Sequence, residues 1–180
     1  MHANNYKVLI LAGGQGKRYG SPKALAKHNG ETFLDIILSK CLSLDLETYA
    51  VLNPQINALL PEDRRFTTIL GDSDKDMYDS ILKGIHHIQV FTKLIIWPVD
   101  HPFVSLGSLK SLIDSQAEDK FVVPSFSGSL GHPIILPYKA ISYLQQCHSL
   151  KELTYQVGRV IVEVDDAGIL YNINKKEDLP

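Results

Sequence analysis

The chain has 180 residues, 44% of them hydrophobic and 21% charged, with a net charge of −2 at neutral pH. This composition indicates a globular protein, and the length fits one domain spanning residues 1–180. The sequence has no basic block, which argues against nucleic acid as a partner. The first residues have no basic n-region and the apolar run after them is short, so we expect neither a signal nor a membrane segment. Cys41 and Cys147 form no close motif, and we therefore expect a reducing compartment, the cytoplasm.

Strand-like and helix-like patterns alternate along the chain. Apolar runs predict strands at 6–12, 49–52, 66–70, 93–97, 121–123, 134–136 and 160–164. Helical spacing predicts helices at 32–44, 77–90, 106–115, 138–146 and 150–157. Residues 169–173 are predicted to be extended and 175–179 to form a short closing helix. The alternation predicts an α/β fold with a largely parallel sheet.

The first predicted strand runs into a glycine-rich loop. Its glycines allow a tight turn whose backbone N–H groups are not covered by Cβ atoms: Gly13, Gly14, Gly16 and Gly20. Lys17, Arg18 and Lys23 add positive charge within the same stretch. Because exposed N–H groups beside fixed cations bind anions, the stretch predicts a phosphate site.

Two common phosphate motifs do not fit this loop. The dinucleotide fingerprint Gly-x-Gly-x-x-Gly fails because Tyr19 stands at its third glycine. The Walker A loop fails because Arg18 follows Gly16-Lys17 and Leu11 stands at its first glycine. The phosphate site therefore belongs to another class of loop.

Asp100 directly follows the predicted strand 93–97 and lies between Pro98 and Pro102. In open α/β sheets ligands bind at the carboxyl ends of strands, where this carboxylate is expected. Mg²⁺ prefers oxygen ligands of this kind. Capping of the next helix is the alternative role, but Ser105 is better placed for it.

The stretch at residues 11–23 reads Leu-Ala-Gly-Gly-x-Gly-x-Arg-x-Gly-x-Pro-Lys. It resembles the signature loop of nucleotidyltransferases, most closely that of the molybdenum cofactor nucleotidyltransferase family (MobA/MocA-like). Asp100-His101-Pro102-Phe103 resembles the family's Asp-x-Pro-Phe motif, whose aspartate binds the metal. The resemblance covers residues 9–179. It implies a three-layer, Rossmann-like fold of the nucleotide-diphospho-sugar transferase type, with a mostly parallel sheet and helices on both faces.

Residues 165–179 resemble the family's closing motif, Asp/Asn-Ile-Asp/Asn-Thr-Pro-Glu-Asp. The resemblance implies that Asn174 and Asn172 hold Mg²⁺ together with Asp100. Alternate residues of a strand share one face, so both asparagines could point to the site. Lys175 and Lys176 replace Thr-Pro, which weakens the start of the closing helix more than the metal ligands.

The resemblance also implies contacts with the two substrates. Gly131, His132 and Pro133 resemble the Gly-His-Pro segment that lines the acceptor pocket in the cytidylyl branch. Ser80 and Asn53 correspond to positions near the nucleotide and its base. The implied nucleotide site comprises Leu11, Ala12, Gly13, Gly14, Gly16, Arg18, Lys23, Asn53, Ser80 and Asp100.

The implied reaction transfers a nucleoside monophosphate from CTP or GTP to a phosphate-bearing acceptor, most closely molybdopterin, with release of pyrophosphate. The acceptor phosphate has a second pKa of about 6, so it is mostly ionised at neutral pH and requires no general base. Positioning and charge neutralisation then drive the reaction, with Arg18, Lys23 and Asp100 as the catalytic residues. A molybdoenzyme is the implied client of the product.

Three questions stay open at the level of sequence. Residues 11–14 and 172–174 look like the guanylyl branch and residues 131–133 like the cytidylyl branch, and we favour CTP. A sugar- or polyol-phosphate nucleotidyltransferase built on the same domain is the second enzyme hypothesis. A nucleotide- or cofactor-binding maturation partner without turnover is the third, favoured by Lys175-Lys176 and opposed by the presence of Arg18, Lys23 and Asp100 together.

Overall fold

The structure, a computed structural model, describes residues 6–16, 19–72 and 76–179. The strands are β1 (Tyr6–Leu11), β2 (Lys27–His28), β3 (Glu31–Thr32), β4 (Glu47–Leu52), β5 (Thr67–Leu70), β6 (Lys93–Pro98), β7 (Phe121–Phe126), β8 (Ser129–Leu130), β9 (Ile134–Pro137) and β10 (Arg159–Glu163). The α-helices are α1 (Phe33–Ser43), α2 (Pro54–Leu59), α3 (Met77–Ile88), α4 (Leu106–Ile113) and α5 (Leu150–Val157). The main sheet has the order β10-β7-β9-β6-β1-β4-β5, with β8 beside β7.

Strands β6, β1, β4 and β5 run parallel, so their carboxyl ends lie along one edge of the sheet. Leu9 pairs with Ile96 on one side and Tyr49 on the other, and Val51 pairs with Ile69. All five side chains are buried. Continuous apolar runs are typical of parallel strands covered on both faces, which is why the sequence showed runs rather than alternation.

The other half of the sheet, formed by β9, β7 and β10, contains both parallel and antiparallel strand pairs. Strand β9 runs antiparallel to both β6 and β7, whereas β10 runs parallel to β7. The sheet is therefore mostly parallel, as predicted. Because Ile134 pairs with Ile96 near the end of β6, the residues just before β9 reach the carboxyl edge of the parallel strands.

Helices cover both faces of the sheet and complete the predicted three layers. Helices α1, α2 and α4 contribute Phe33, Ile56 and Leu109 to one apolar core. Helices α3 and α5 contribute Ile81 and Leu153 to a second core on the opposite face. Within the described residues, none of the helices has the length and apolar character needed to span a membrane.

The structure differs from the sequence predictions at several short elements. Asn53-Pro54 was interpreted as the end of a strand, but the Asn53 side chain accepts a hydrogen bond from the Ile56 N–H and starts α2, which was not predicted. The extended segment predicted at 169–173 is wrong at its start, because Ala167–Leu170 forms a 3-10 helix and extended backbone begins at Tyr171. The antiparallel pair β2–β3 was also missed, whereas the helix predicted at 138–146 is present as a 3-10 helix with the same bounds.

Candidate active site

The glycine-rich loop leaves the carboxyl end of β1. Gly16 has φ +63, and a Cβ atom there would lie 1.9 Å from the Ser21 carbonyl oxygen. Its own carbonyl accepts hydrogen bonds from the N–H groups of Tyr19 and Gly20, at 2.9 and 3.0 Å. This position therefore requires glycine, because any side chain would both strain the backbone and collide with the returning chain.

Asn53 fixes the first part of the loop. Its Nδ2 donates to the Gly13 carbonyl at 2.8 Å, and its Oδ1 accepts from the Ile56 N–H at 2.8 Å. Within residues 6–16, 19–72 and 76–179, no backbone carbonyl or side chain accepts from the N–H groups of Gly13 and Gly14. The loop thus presents backbone donors while its carbonyl is held away by Asn53, an arrangement suited to phosphate oxygens.

A cavity of about 400 Å³ opens beside the loop at the carboxyl edge of the sheet. Residues from the loop, the ends of β5 and β6, the start of α3 and the C-terminal segment line it: Leu11, Gly13, Gly14, Gly16, Lys23, Asp72, Asp76, Met77, Ser80, Pro98, Val99, Asp100 and Asn174. Eight of the predicted site residues therefore meet at one cavity. Asp72, Asp76 and Met77 were missed, although their place after β5 and at the start of α3 is the signal that could have found them.

Lys23, Asp100 and Asn174 form the charged centre of this cavity. The Lys23 ammonium donates to Asp100 Oδ2 at 2.9 Å and to Asn174 Oδ1 at 2.8 Å. The Lys23 and Asp100 side chains are only 16% and 23% exposed, so their pairing is shielded from solvent. Three residues far apart in sequence thus place one cation between two oxygen atoms.

Hydrogen bonds to Asp100 and Asp178 fix the backbone of the C-terminal segment around Asn174. The Ile173 N–H donates to the Asp100 carbonyl at 2.9 Å. Asp178 Oδ2 accepts from the N–H groups of Asn174 and Lys175, both at 2.8 Å, and these bonds lower the pKa of Asp178. Asp178 therefore holds the turn even though Lys175 and Lys176 replace the family's Thr-Pro.

Several predicted residues lie outside the cavity lining. Asn172 accepts a hydrogen bond from Asn174 Nδ2 at 2.9 Å and orients that side chain. Asn53 is 2% exposed with both ends of its amide bonded, and the Ala12 N–H is bonded to the Val51 carbonyl. Ser80 does line the cavity, and its hydroxyl bonds the Asp76 carbonyl at 3.2 Å. The predicted catalytic residue Arg18, together with Lys17, lies outside the described residues.

The segment predicted to bind the acceptor, residues 131–133, lies beside the end of β6. Gly131 packs so closely that a Cβ atom would lie 2.4 Å from the Ile169 carbonyl oxygen. The His132 N–H donates to that same carbonyl, at 3.0 Å, and Pro133 is buried. The three residues do not line the main cavity, but they stand next to Asp100 through His101.

His101 and His132 form a pair of imidazoles at this position. Their ring centroids are 4.8 Å apart, and His101 Nε2 lies 3.9 Å from Asp100 Oδ1. Burial lowers the pKa of both, and that of His132 falls to about 4 as His101 adds to the effect. The Nδ1 atom of each ring is buried and has no hydrogen-bond partner among the described residues. Both rings are therefore neutral at pH 7 and retain an unused polar atom.

The donor set at the charged centre fits a hard divalent cation. The carboxylate of Asp100 and the amide oxygen of Asn174 converge on one point, now taken by the Lys23 ammonium. In the part of the chain that the structure describes, no cluster of three or more His, Cys, Asp or Glu residues is present. A site with one carboxylate suits Mg²⁺, which takes its remaining ligands from water and substrate phosphates.

Comparisons with known proteins agree with this geometry. The family model described as "MobA-like NTP transferase domain" matches residues 8–165. A curated "Probable molybdenum cofactor guanylyltransferase" from Geobacillus sp. (strain WCH70) is 25% identical over 155 residues, covering 83% of this chain and 76% of that protein.

Solved structures with the same fold cover nearly the whole chain. A nucleotidyl transferase from Methanothermobacter thermautotrophicus has a TM-score of 0.79 at 20% identity, covering 97% of this chain and 94% of its own. The 2-C-methyl-D-erythritol 4-phosphate cytidylyltransferase of Thermus thermophilus has a TM-score of 0.72 at 20% identity, covering 96% and 94%. Rv0371c of Mycobacterium tuberculosis H37Rv, solved in complex with manganese, has a TM-score of 0.70 at 16% identity, covering 97% and 95%. Because the family model matches residues 8–165 and the fold agrees with it, the chain belongs to the MobA-like NTP transferase family and is a nucleotidyltransferase.

Proposed function

We propose that this enzyme transfers GMP from GTP to the phosphate of a molybdopterin-type acceptor, with Mg²⁺ as the metal and pyrophosphate as the second product. The meeting of Lys23, Asp100 and Asn174 at the wall of the phosphate-loop cavity carries this proposal. The curated guanylyltransferase relative supports the pterin acceptor. The reaction takes place in the cytoplasm, and a molybdoenzyme receives the product.

The reaction needs positioning and charge neutralisation rather than a general base. The N–H groups of Gly13 and Gly14 hold phosphate oxygens of the triphosphate. An ionised oxygen of the acceptor phosphate attacks the α-phosphorus, the bond from that phosphorus to the α–β bridging oxygen breaks, and pyrophosphate leaves. The Lys23 ammonium neutralises the charge that develops around the α-phosphorus, in a site shielded from solvent.

Asp100 and Asn174 would hold the metal through the two oxygen atoms that converge on Lys23. When bound, the ion supplies Lewis-acid neutralisation of the phosphate oxygens. The manganese complex of a structural neighbour supports a divalent ion at this fold. The Lys23 ammonium would then leave the Asp100 and Asn174 oxygens and pair with the phosphates of the nucleotide.

The carboxylate of Asp72, which lies 3.8 Å from Lys83 Nζ, favours guanine, whereas that of Asp76 caps α3. The charged centre lies at β6 and Asp72 follows β5, three strand positions away in the order β6-β1-β4-β5. That separation of about 14 Å matches the length of a nucleotide. Guanine presents the N1–H and N2–H donors side by side to one carboxylate, whereas cytosine presents a donor beside an acceptor that a carboxylate repels. We therefore propose GTP in place of the CTP favoured from the sequence.

The experiment measures pyrophosphate release by the purified enzyme with each of the four nucleoside triphosphates, with and without Mg²⁺. Molybdopterin and 2-C-methyl-D-erythritol 4-phosphate serve as alternative acceptors. Release that needs GTP, Mg²⁺ and molybdopterin together supports the proposal. Release with CTP and 2-C-methyl-D-erythritol 4-phosphate contradicts the proposed substrates but still supports nucleotidyl transfer as the reaction. Binding of nucleotide without turnover with either acceptor overturns the activity and favours a maturation partner.

A further inference from the structure

Asp100 is the third residue of a β-turn formed by residues 98–101. The His101 N–H donates to the Pro98 carbonyl at 3.1 Å and closes the turn. The Val99 N–H donates to the Leu11 carbonyl, at 3.1 Å, which ties the turn to the end of β1. The carboxylate is thus carried by a short backbone segment whose orientation decides where the carboxylate points.

Successive carbonyls of this segment accept hydrogen bonds from different elements. The Asp100 carbonyl accepts from the Ile173 N–H at 2.9 Å, in the C-terminal segment. The Pro102 carbonyl accepts from Lys40 Nζ at 2.5 Å, in α1. Between them, the His101 carbonyl accepts from the indole Nε1 of Trp97 at 2.9 Å. The bond from Trp97 comes from inside the core, because its side chain has 0% exposure.

We propose that Trp97 is a positioning residue whose indole N–H fixes the end of this turn and, through it, the Asp100 carboxylate. The inference rests on the role proposed for Asp100. Phenylalanine is apolar like the indole but smaller, and it provides no donor, so Trp97→Phe removes the bond together with part of the packing. His101 is only 6% exposed, so water cannot easily replace the lost bond and its carbonyl would be left buried and unsatisfied. The turn would then rotate to hydrate that carbonyl and would move Asp100 away from Lys23.

The chain offers a matched control at the opposite end of the sheet. Tyr6 belongs to the same apolar core as Trp97, and its hydroxyl donates to the Ile113 carbonyl at 2.8 Å. Trp97→Phe and Tyr6→Phe each remove one bond from a buried aromatic side chain to a backbone carbonyl, and Tyr6→Phe also removes the bond that its hydroxyl accepts from Lys93 Nζ at 3.2 Å. Only the first of these carbonyls adjoins Asp100.

The experiment compares the two variants with wild type in three measurements: stability to urea, Mn²⁺ affinity by electron paramagnetic resonance, and steady-state kinetics. We expect both variants to lose stability. We expect only Trp97→Phe to lower kcat, about tenfold, with the KM for nucleotide within about twofold of wild type. Its Mn²⁺ affinity should fall, and a higher Mn²⁺ concentration should restore part of the rate.

A Trp97→Phe enzyme with the kcat and Mn²⁺ affinity of Tyr6→Phe overturns the proposal, because a purely structural role changes stability alone. If Trp97→Phe does not fold, wild type supplies the test, since Trp97 is the chain's one tryptophan. Its fluorescence should change when Mn²⁺ and a non-hydrolysable nucleotide bind, and Asp100→Asn should abolish that change. An identical change in Asp100→Asn overturns the coupling. If the wild-type enzyme is inactive with every acceptor, the proposed function is contradicted. The Mn²⁺ affinity and the fluorescence change do not depend on turnover, so they still test the role of Trp97.

Discussion

The two walls of the active-site cleft are built differently. The nucleotide wall, Gly13, Gly14 and Gly16 with Asn53, has both ends of the Asn53 amide bonded within the protein and offers backbone N–H groups to the ligand. We propose His101 and His132 as the acceptor wall; each ring keeps a buried Nδ1 atom without a hydrogen-bond partner, as far as the described chain extends. Because buried polar atoms are costly without partners, we propose that a bound ligand completes this wall. On this proposal, side chains recognise the acceptor, and the backbone shape of the loop recognises the triphosphate.

Asp100 stands between the walls, so its removal should have the largest effect. We expect Asp100→Ala to fold normally and to lose about a thousandfold in kcat, or about 4 kcal/mol of barrier, if the metal is lost. Steady-state kinetics measure the loss, and circular dichroism checks the fold. Asp119→Ala is the control, because that exposed carboxylate meets only Lys139 at 4.0 Å. An active Asp100→Ala enzyme would contradict the metal assignment.

Gly16→Ala tests whether the shape of the nucleotide wall matters. The added Cβ would collide with the Ser21 carbonyl at 1.9 Å, and φ +63 adds strain. We expect the KM for GTP to rise about thirtyfold, or about 2 kcal/mol, while the KM for the acceptor changes little. Gly107→Ala is the matched control, because its Cβ would meet only Ser105 Oγ at 3.8 Å. Equal effects on both substrates would show that the walls are not separate.

His132→Gln tests the acceptor wall. Glutamine keeps a hydrogen-bonding side chain but moves its polar atoms, so we expect the KM for the acceptor to rise about tenfold, the loss of about one hydrogen bond. The KM for GTP should stay within error of wild type. Isothermal titration with each substrate alone provides the check, and weaker GTP binding would assign His132 to the nucleotide wall instead.

The same histidine should make stability depend on pH. Burial and His101 lower the pKa of His132 from 6.5 to about 4, against a smaller opposing effect of Asp100. The unfolded chain therefore binds more protons between pH 6.5 and 4, and stability is lost as pH falls through that window, by about 3 kcal/mol in all. The lowered pKa of His101 acts in the same direction. Urea unfolding at several pH values should give a flatter profile for His132→Gln, and an unchanged profile would contradict the assignment.

Asn53→Ser should have the smallest effect. Serine still caps α2, but it cannot reach the Gly13 carbonyl that Asn53 now holds at 2.8 Å. We expect the KM for GTP to rise about threefold, with a stability loss of about 1 kcal/mol. Urea unfolding and GTP titration measure the two effects. A far larger loss of GTP affinity would indicate that Asn53 contacts the nucleotide itself, as the sequence predicted.

The regular part of the fold could be predicted because local pattern and tertiary position agree there. The apolar runs of β1 and β6 and the helical spacing of α1 are found close to their predicted bounds. The helical start of the segment 169–173 could not be predicted, since Asp166 accepts from the Gly168 N–H while its other oxygen accepts from Ser105 and Ser108 of the α4 cap. A contact across the fold decides that conformation.

In the candidate site, too, some features could be predicted from local sequence and others depend on contacts across the fold. Motifs were enough to select Lys23, Asp100 and Asn174, which the structure brings together, whereas the role of Arg18 stays a prediction. The anchoring bonds from Trp97 and Asp178 could not be predicted, because an indole or a carboxylate in a sequence does not reveal which backbone atom it meets. Sequence motifs identify the candidate reacting groups, whereas the fold determines which hydrogen bonds position them.

The ammonium group of Lys23 acts as a tethered counter-ion for the resting enzyme. It sits between the Asp100 and Asn174 oxygens at 2.9 and 2.8 Å, so a divalent ion held by these two oxygens would have to displace it from both. A free metal ion has to do so against charge repulsion, while a triphosphate offers the ammonium another partner. Metal and nucleotide should therefore enter together as one complex, and initial-velocity patterns should identify the metal-bound nucleotide as the true substrate.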